Sequence, residues 1–250
     1  MTVLVLLPNI FDHPFTYTSK EKLKIGDYVE VPFGKKKLIG IIWDNFEEGP
    51  KKKFKIKDIF KKFTKEPLEN KTINFLNWFS DYNIVPKGMA LKLHLINNSI
   101  DEDYKEDIYD QFNKKHPTKE YSLNKQQKKS LSEIERGDTN FRVHVLQGTT
   151  GSGKTIVYFN AIKKKLNEGY QSLILLPEIG LTKEFEKNLI SFFGFKPAIW
   201  HSSVTKKNKK IIWSGLKSGK IKVVIGARSA LFLPFKKLGL ITIDEEHDQS

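Results

Sequence analysis

The chemistry of this chain is concentrated in one run of eight residues. Gly148-Thr149-Thr150-Gly151-Ser152-Gly153-Lys154-Thr155 matches the spacing G-x-x-x-x-G-K-[ST] in full. Glycines at these places let the backbone turn tightly, so that its N–H groups converge on phosphate oxygens. Lys154 is expected to reach the β and γ phosphates of a nucleoside triphosphate, and the Thr155 hydroxyl to ligate Mg²⁺. A helix starting at the loop would add its positive end. A second run, Ile241-Thr242-Ile243-Asp244-Glu245-Glu246-His247, places two carboxylates at the end of an apolar strand. Alone it reads as a solvated turn. Paired with the phosphate loop upstream, Asp244 is expected to hold Mg²⁺ through water and Glu245 to polarise the attacking water.

Two weaker sets suit the phosphates of a nucleic-acid strand. Pro177-Glu178-Ile179-Gly180-Leu181-Thr182 follows an apolar strand, and its amides and Thr182 suit a strand phosphate. A helix N-terminal turn is the alternative. Gly226-Ala227-Arg228-Ser229-Ala230 sets Arg228 beside Ser229, again suited to a phosphate, with a plain strand-to-helix loop as the alternative.

The elements that must position these residues can be read from periodicity. From Tyr121 onward, helix and strand signals alternate. Helices are expected over 124–136, 156–168, 181–193 and 208–218, and strands over 141–146, 172–176, 198–200, 222–225 and 240–243. Apolar strands alternating with helices predict a parallel sheet with helices on both faces. The first part, to about Asn97, starts differently. Runs near 3–7, 28–31, 38–43 and 54–59 suggest short strands, and a helical period follows from Glu69. The expected fold class is therefore α/β: a small β-rich N-terminal domain (1–97), a polar linker (98–120) and a phosphate-loop domain (121–250).

Composition narrows the setting. The 250 residues suggest one or two domains at about 150 residues each. No cysteine is present, which excludes disulfides, a thiol nucleophile and thiolate metal sites within this sequence and fits a reducing compartment. The apolar run Val3 to Pro8 is too short to span a bilayer. The net charge of +14 attracts polyanions, which points to nucleic acid or, alternatively, to a generally solvated surface.

Taken together, the motifs resemble the primosomal protein N′ (PriA) family of replication-restart DNA helicases. Leu123-Asn124-Lys125-Gln126-Gln127 is similar to the family's segment before the phosphate loop, and this resemblance implies that Gln127 lies near the adenine. Residues 148–155, Leu176 to Thr182, Ile225 to Phe232 and the Asp-Glu-Glu-His box at 244–247 are similar to further family motifs, and His201-Ser202-Ser203 stands where the family has a short His-Ser segment. In the first part, Phe15-Thr16-Tyr17 resembles the segment lining the family's pocket for a 3′ strand end, and Val31-Pro32-Phe33-Gly34 its turn. Thr16 stands where many members carry Asp. Trp78-Phe79-Ser80-Asp81-Tyr82 resembles a family helix expected in core packing.

The resemblance implies a superfamily 2, ATP- and Mg²⁺-dependent 3′-to-5′ DNA helicase. It would recognise abandoned forks, 3′ ends and single strands, and begin primosome assembly. Phe15, Thr16, Tyr17 and Gly34 would contact DNA, with Thr182, Arg228 and Ser229 in the first RecA-like lobe. Primosome proteins and single-strand DNA-binding protein would be partners, in the cytoplasm and without a membrane. The family's winged helix is expected to be absent, because 98–120 is too short for it. The second lobe is expected to be missing too, together with the zinc-binding cysteines, so zinc belongs only to that C-terminal part. The chain alone is then expected to bind nucleotide weakly and to unwind nothing. The alternative is a catalytically inactive binder of forks and 3′ ends.

Overall fold

The computed structural model describes residues 1–43, 56–95, 105–136, 141–177, 180 and 182–244. Glu245, the rest of the acidic box, parts of the segment 178–181 and the start of the strand expected at 54–59 lie outside them. The chain divides into two units, Met1–Glu102 and Asp103–Ser250.

Unit 1 is a six-stranded sheet with two helices. Its strands are β1 (Thr2–Leu6), β2 (Phe15–Thr18), β3 (Tyr28–Phe33), β4 (Lys36–Ile42), β5 (Lys57–Asp58) and β6 (Lys61–Lys62), in the order β5-β2-β1-β4-β3-β6. Neighbours run antiparallel except β2 and β5. Period-two alternation sends Val3, Val5, Tyr17, Val29 and Val31 to one core with Leu7, Leu23 and Ile42. Asp27, in the turn before β3, is buried. Its carboxylate accepts from the Lys24 amide at 2.7 Å and pairs with the Lys62 ammonium at 2.7 Å, tying β6 to the turn before β3.

Helix α1 (Asn70–Asn83) buries Ile73, Leu76 and Ser80, and α2 (Lys87–His94) buries Ala90 and Leu91. The 3.6-residue period that turns 73, 76 and 80 inward turns 78 and 82 outward. Trp78 is therefore 57 % and Tyr82 74 % exposed, and their rings stack on each other at 5.2 Å. The expected core packing of Trp78 and Tyr82 is not what the helix provides.

Unit 2 begins with a 3₁₀ turn at Glu106–Tyr109 and α3 (Asp110–Asn113). The stretch expected as a linker is fastened to this unit: Tyr109 is buried with its hydroxyl 3.0 Å from Ser214 Oγ, and the His116 and Lys119 amides donate to Gly194 and Ser191 carbonyls. There follow α4 (Lys125–Glu135), α5 (Lys154–Asn167), β7 (Gln171–Leu175), α6 (Lys183–Phe193), β8 (Ala198–Trp200), α7 (Lys206–Ser218), β9 (Val223–Gly226) and β10 (Leu238–Ile243). The four strands form a wholly parallel sheet, β10-β7-β9-β8. Every residue of β7 and β9 is buried, so both faces of these strands are covered. Ile174, Val223 and Ile225 pack with Phe159 and Ile162 of α5 and with Leu189 and Phe192 of α6. Buried Gln171 has its amide satisfied by the Leu216 and Ile221 carbonyls and the Lys237 amide, stapling the end of α7 to the foot of the sheet.

One expected strand is not formed. Residues 141–146 are irregular, with Phe141, Val143 and Val145 90 %, 76 % and 89 % exposed. Among the described residues β10 pairs only with β7, and no strand lies beside 141–146. A parallel strand is stable only with a neighbour to complete its ladder and a layer to cover its side chains, and this segment has neither.

Candidate functional site

In unit 2 the phosphate loop leads into the first turn of α5. Gly151 and Gly153 hold φ of +79° and +81°, a region that side chains disfavour. A Cβ on Gly153 would also lie 2.4 Å from Gln127 Nε2. The loop is therefore shaped by backbone freedom, and its curled amides fit an anion. Lys154 folds back over this curl, its ammonium donating to the Gly148 carbonyl at 2.7 Å and the Thr149 carbonyl at 3.2 Å.

Gln127 meets the same loop from another side. Asn124 caps α4 in a reciprocal box: the Gln127 amide donates to Asn124 Oδ1, and the Asn124 amide to Gln127 Oε1. The remaining Nε2 donates to the Ser152 carbonyl at 3.0 Å. Gln127 thus joins the start of α4 to the loop.

Asp244 arrives at the end of β10, where its amide donates to the Leu175 carbonyl at 3.0 Å. Its carboxylate accepts from the Tyr158 hydroxyl at 2.7 Å. Tyr158 lies three residues after Thr155, on the same side of α5, so this bond fixes Asp244 at the loop end of the helix. Sequence reading missed Tyr158. Its signal was the three-residue step from Thr155. A nucleoside triphosphate with Mg²⁺ fits these residues: a curl of amides, an ammonium at the loop, a hydroxyl and an oriented carboxylate. Among the described residues no cluster of three or more His, Asp or Glu forms a further metal site.

The expected strand contacts are placed as follows. Thr182 caps α6, its hydroxyl accepting from the Phe185 amide at 3.1 Å. Arg228 and Ser229 are exposed at the start of a 3₁₀ turn, Arg228–Phe232, that follows β9.

In unit 1, Phe15, Thr16 and Tyr17 lie on β2, opposite Val5, Leu4 and Val3. Alternation exposes Thr16 and buries Tyr17. The Tyr17 hydroxyl donates to the Pro32 carbonyl at 3.1 Å, joining β2 to the end of β3, and burial raises its pKa. Gly34, with φ +58°, turns β3 into β4, and Phe33 pairs with Lys36 across that turn. Phe15 and Phe33 pack edge to face at 5.2 Å over the end of the core. Two further rings, Phe11 and His13, sit against them, and sequence reading missed both. Their signal was the alternation Phe11-x-His13-x-Phe15.

Comparison with known proteins finds a match in each unit. Residues 2–95 match the 3′ DNA-binding domain (3′BD) of PriA, and residues 124–250 match the DEAD/DEAH box helicase family. The chain is 39 % identical to the replication restart protein PriA of Rickettsia conorii and 40 % identical to that of Rickettsia prowazekii, over 98 % of this chain in each case. It is 34 % identical to PriA of Helicobacter pylori over 95 % of its length. It spans 37 % of the length of the Rickettsia relatives and 36 % of the Helicobacter one. A DEAD/DEAH helicase region implies the use of ATP and Mg²⁺, which the phosphate loop and Asp244 fit. No helix among the described residues is long and apolar enough to cross a membrane. A phosphate loop with its oriented carboxylate, following a 3′ DNA-binding domain, places this chain in the PriA replication restart family of DEAD/DEAH box helicases.

Proposed function

We propose that this chain supplies the strand-end reader and the first ATP-binding lobe of a superfamily 2, 3′-to-5′ DNA helicase. That helicase recognises stalled or abandoned replication forks and begins primosome assembly. Residues 1–97 are the reader and 121–250 the lobe. The observation that carries this reading is the Tyr158–Asp244 bond, which sets a carboxylate at the loop end of α5 in a chain that also holds a 3′ DNA-binding domain.

Each residue then has a task. Lys154 exchanges its two carbonyl partners for phosphate oxygens, a short swing that keeps its ammonium hydrogen-bonded throughout. The amides of 149–155 donate to the remaining phosphate oxygens, and the N-terminus of α5 adds its dipole. Thr155 and Asp244 would hold Mg²⁺, which would supply charge neutralisation at the phosphates. Glu245, beyond the described residues, orients the water. Gln127 lies near the adenine. Phe15, Thr16 and Gly34 surround the strand end, with Tyr17 fixing β2 from below. Thr182, Arg228 and Ser229 touch strand phosphates. Primosome proteins and single-strand DNA-binding protein are the partners, in the cytoplasm. By itself the chain binds ATP weakly and does not unwind DNA, because in this enzyme class transition-state charge is met from a second lobe.

The test is titration of the chain with a fluorescent ATP analogue, with and without Mg²⁺. Lys154→Ala should weaken binding at least about tenfold, as expected for losing a charge-assisted phosphate contact, with the circular dichroism spectrum unchanged. Equal affinity in the variant would remove the phosphate loop from the account.

A further inference from the structure

Phe11 is 40 % exposed, yet its backbone is bonded at both its amide and its carbonyl. Its amide donates to Asn9 Oδ1 at 2.9 Å, and its carbonyl accepts from the Gly88 amide at 3.1 Å. The next residue, Asp12, accepts from the Lys87 amide at 2.8 Å. The loop before β2 is thus clipped to the start of α2, and an exposed phenyl ring is presented on a fixed backbone. That ring meets Phe15 edge to face at 5.4 Å, Phe33 at 6.3 Å and His13 at 5.7 Å, while His13 lies 4.9 Å from Phe15. His13 is held as well: its Nδ1 lies 3.1 Å from the Pro14 carbonyl, which can only accept, so Nδ1 carries the proton.

The rings form two tiers. Phe15 and Phe33 close the core, and Phe11 and His13 rest on them towards solvent. Packing of the sheet explains the lower tier. It does not require the upper one, which leaves large aromatic surface in water. Lys35 in the turn after Phe33 and Lys36 at the start of β4 are exposed, while Lys37 pairs with Glu30 at 3.7 Å and lies over the Phe60 ring. Rigid exposed aromatics next to consecutive lysines match what a single nucleic-acid strand needs: faces for bases to stack on and cations for its phosphates.

Resting on the end-binding reading above, we propose that Phe11 and His13 form a stacking platform for the base next to the 3′-terminal nucleotide, with Lys35 and Lys36 holding the adjoining phosphate. The end pocket at Phe15, Thr16 and Gly34 reads the terminus. The platform adds affinity for a second base without regard to its identity, because every base has a π face.

The experiment uses the whole chain and a short single strand carrying 2-aminopurine next to its 3′-terminal nucleotide. Binding to the wild-type chain should quench the probe, because the reporter stacks on the rings. Phe11→Leu keeps an apolar side chain but no π face, and should lose the quench with about tenfold in affinity. Phe11→Trp should retain both, and His13→Ala should lose part of each. Phe11→Leu with wild-type affinity and quench would overturn the platform, as would be found if the patch served a protein instead. Phe11→Trp failing as badly as Phe11→Leu would overturn it too, by showing a packing role. A wild-type chain that binds strands ending in 3′-OH and 3′-phosphate equally would instead overturn the end-binding reading on which the platform rests.

Discussion

Tyr28 and Tyr17 show how single side chains in unit 1 answer to pH. Burial pushes the Tyr28 phenol far above its usual range and Tyr17 in the same direction, since neither site hydrates a phenolate. The folded chain then holds these protons more tightly than the unfolded chain does. Their contribution is fully present below the unfolded tyrosine pKa of about 10 and is lost as pH rises beyond it. Urea unfolding followed from about pH 8 to 11 should therefore show stability falling at the alkaline end. Tyr28→Phe should flatten that fall, and an equally steep decline in the variant would contradict the assignment. At this scale the phosphate loop was legible because its chemistry is written in adjacent residues. The Tyr158–Asp244 bond joins positions 86 residues apart, so it had to await the sheet that brings β10 beside α5.

Elements were legible where period and punctuation agreed. The helix expected at 124–136 is found at Lys125–Glu135 because Asn124 and Gln127 build its capping box, and Gly194 and Gly219 end α6 and α7 in left-handed turns. The alternating run 141–146 was misread because its pattern tells what a segment would bury, not whether a neighbouring strand exists. Trp78 was misread because a bulky aromatic in a helix suggests a core, whereas this helix buries the stripe 73, 76 and 80. The joint between the aromatic loop and α2 offers a sharp test. A Cβ on Gly88 would lie 2.7 Å from the Leu7, Asn9 and Phe11 carbonyl oxygens, and none of these is the free end of a side chain. Gly88→Ala should cost about 1–3 kcal/mol in chemical denaturation, by forcing the loop off the helix. A variant as stable as the parent would mean the loop is not held there.

At the scale of the whole molecule, two units with separate cores carry two kinds of recognition. The net charge of +14 supplies a general attraction to DNA, strong at low salt and indifferent to sequence. Such attraction does not distinguish one end group from another. Under the proposed function, discrimination between end groups belongs to unit 1, where Thr16 is exposed on β2 and Gly34 turns β3 into β4. The division of labour was visible in the sequence, in the contrast between short β runs and the later helix–strand alternation. The upper aromatic tier was not, because it depends on a loop clipped to a helix more than seventy residues away. The most direct measurement is equilibrium binding of this chain to one DNA strand prepared with either a 3′-OH or a 3′-phosphate, at a salt concentration that suppresses general attraction. The account predicts tighter binding to the 3′-OH strand, and equal binding to both would contradict it.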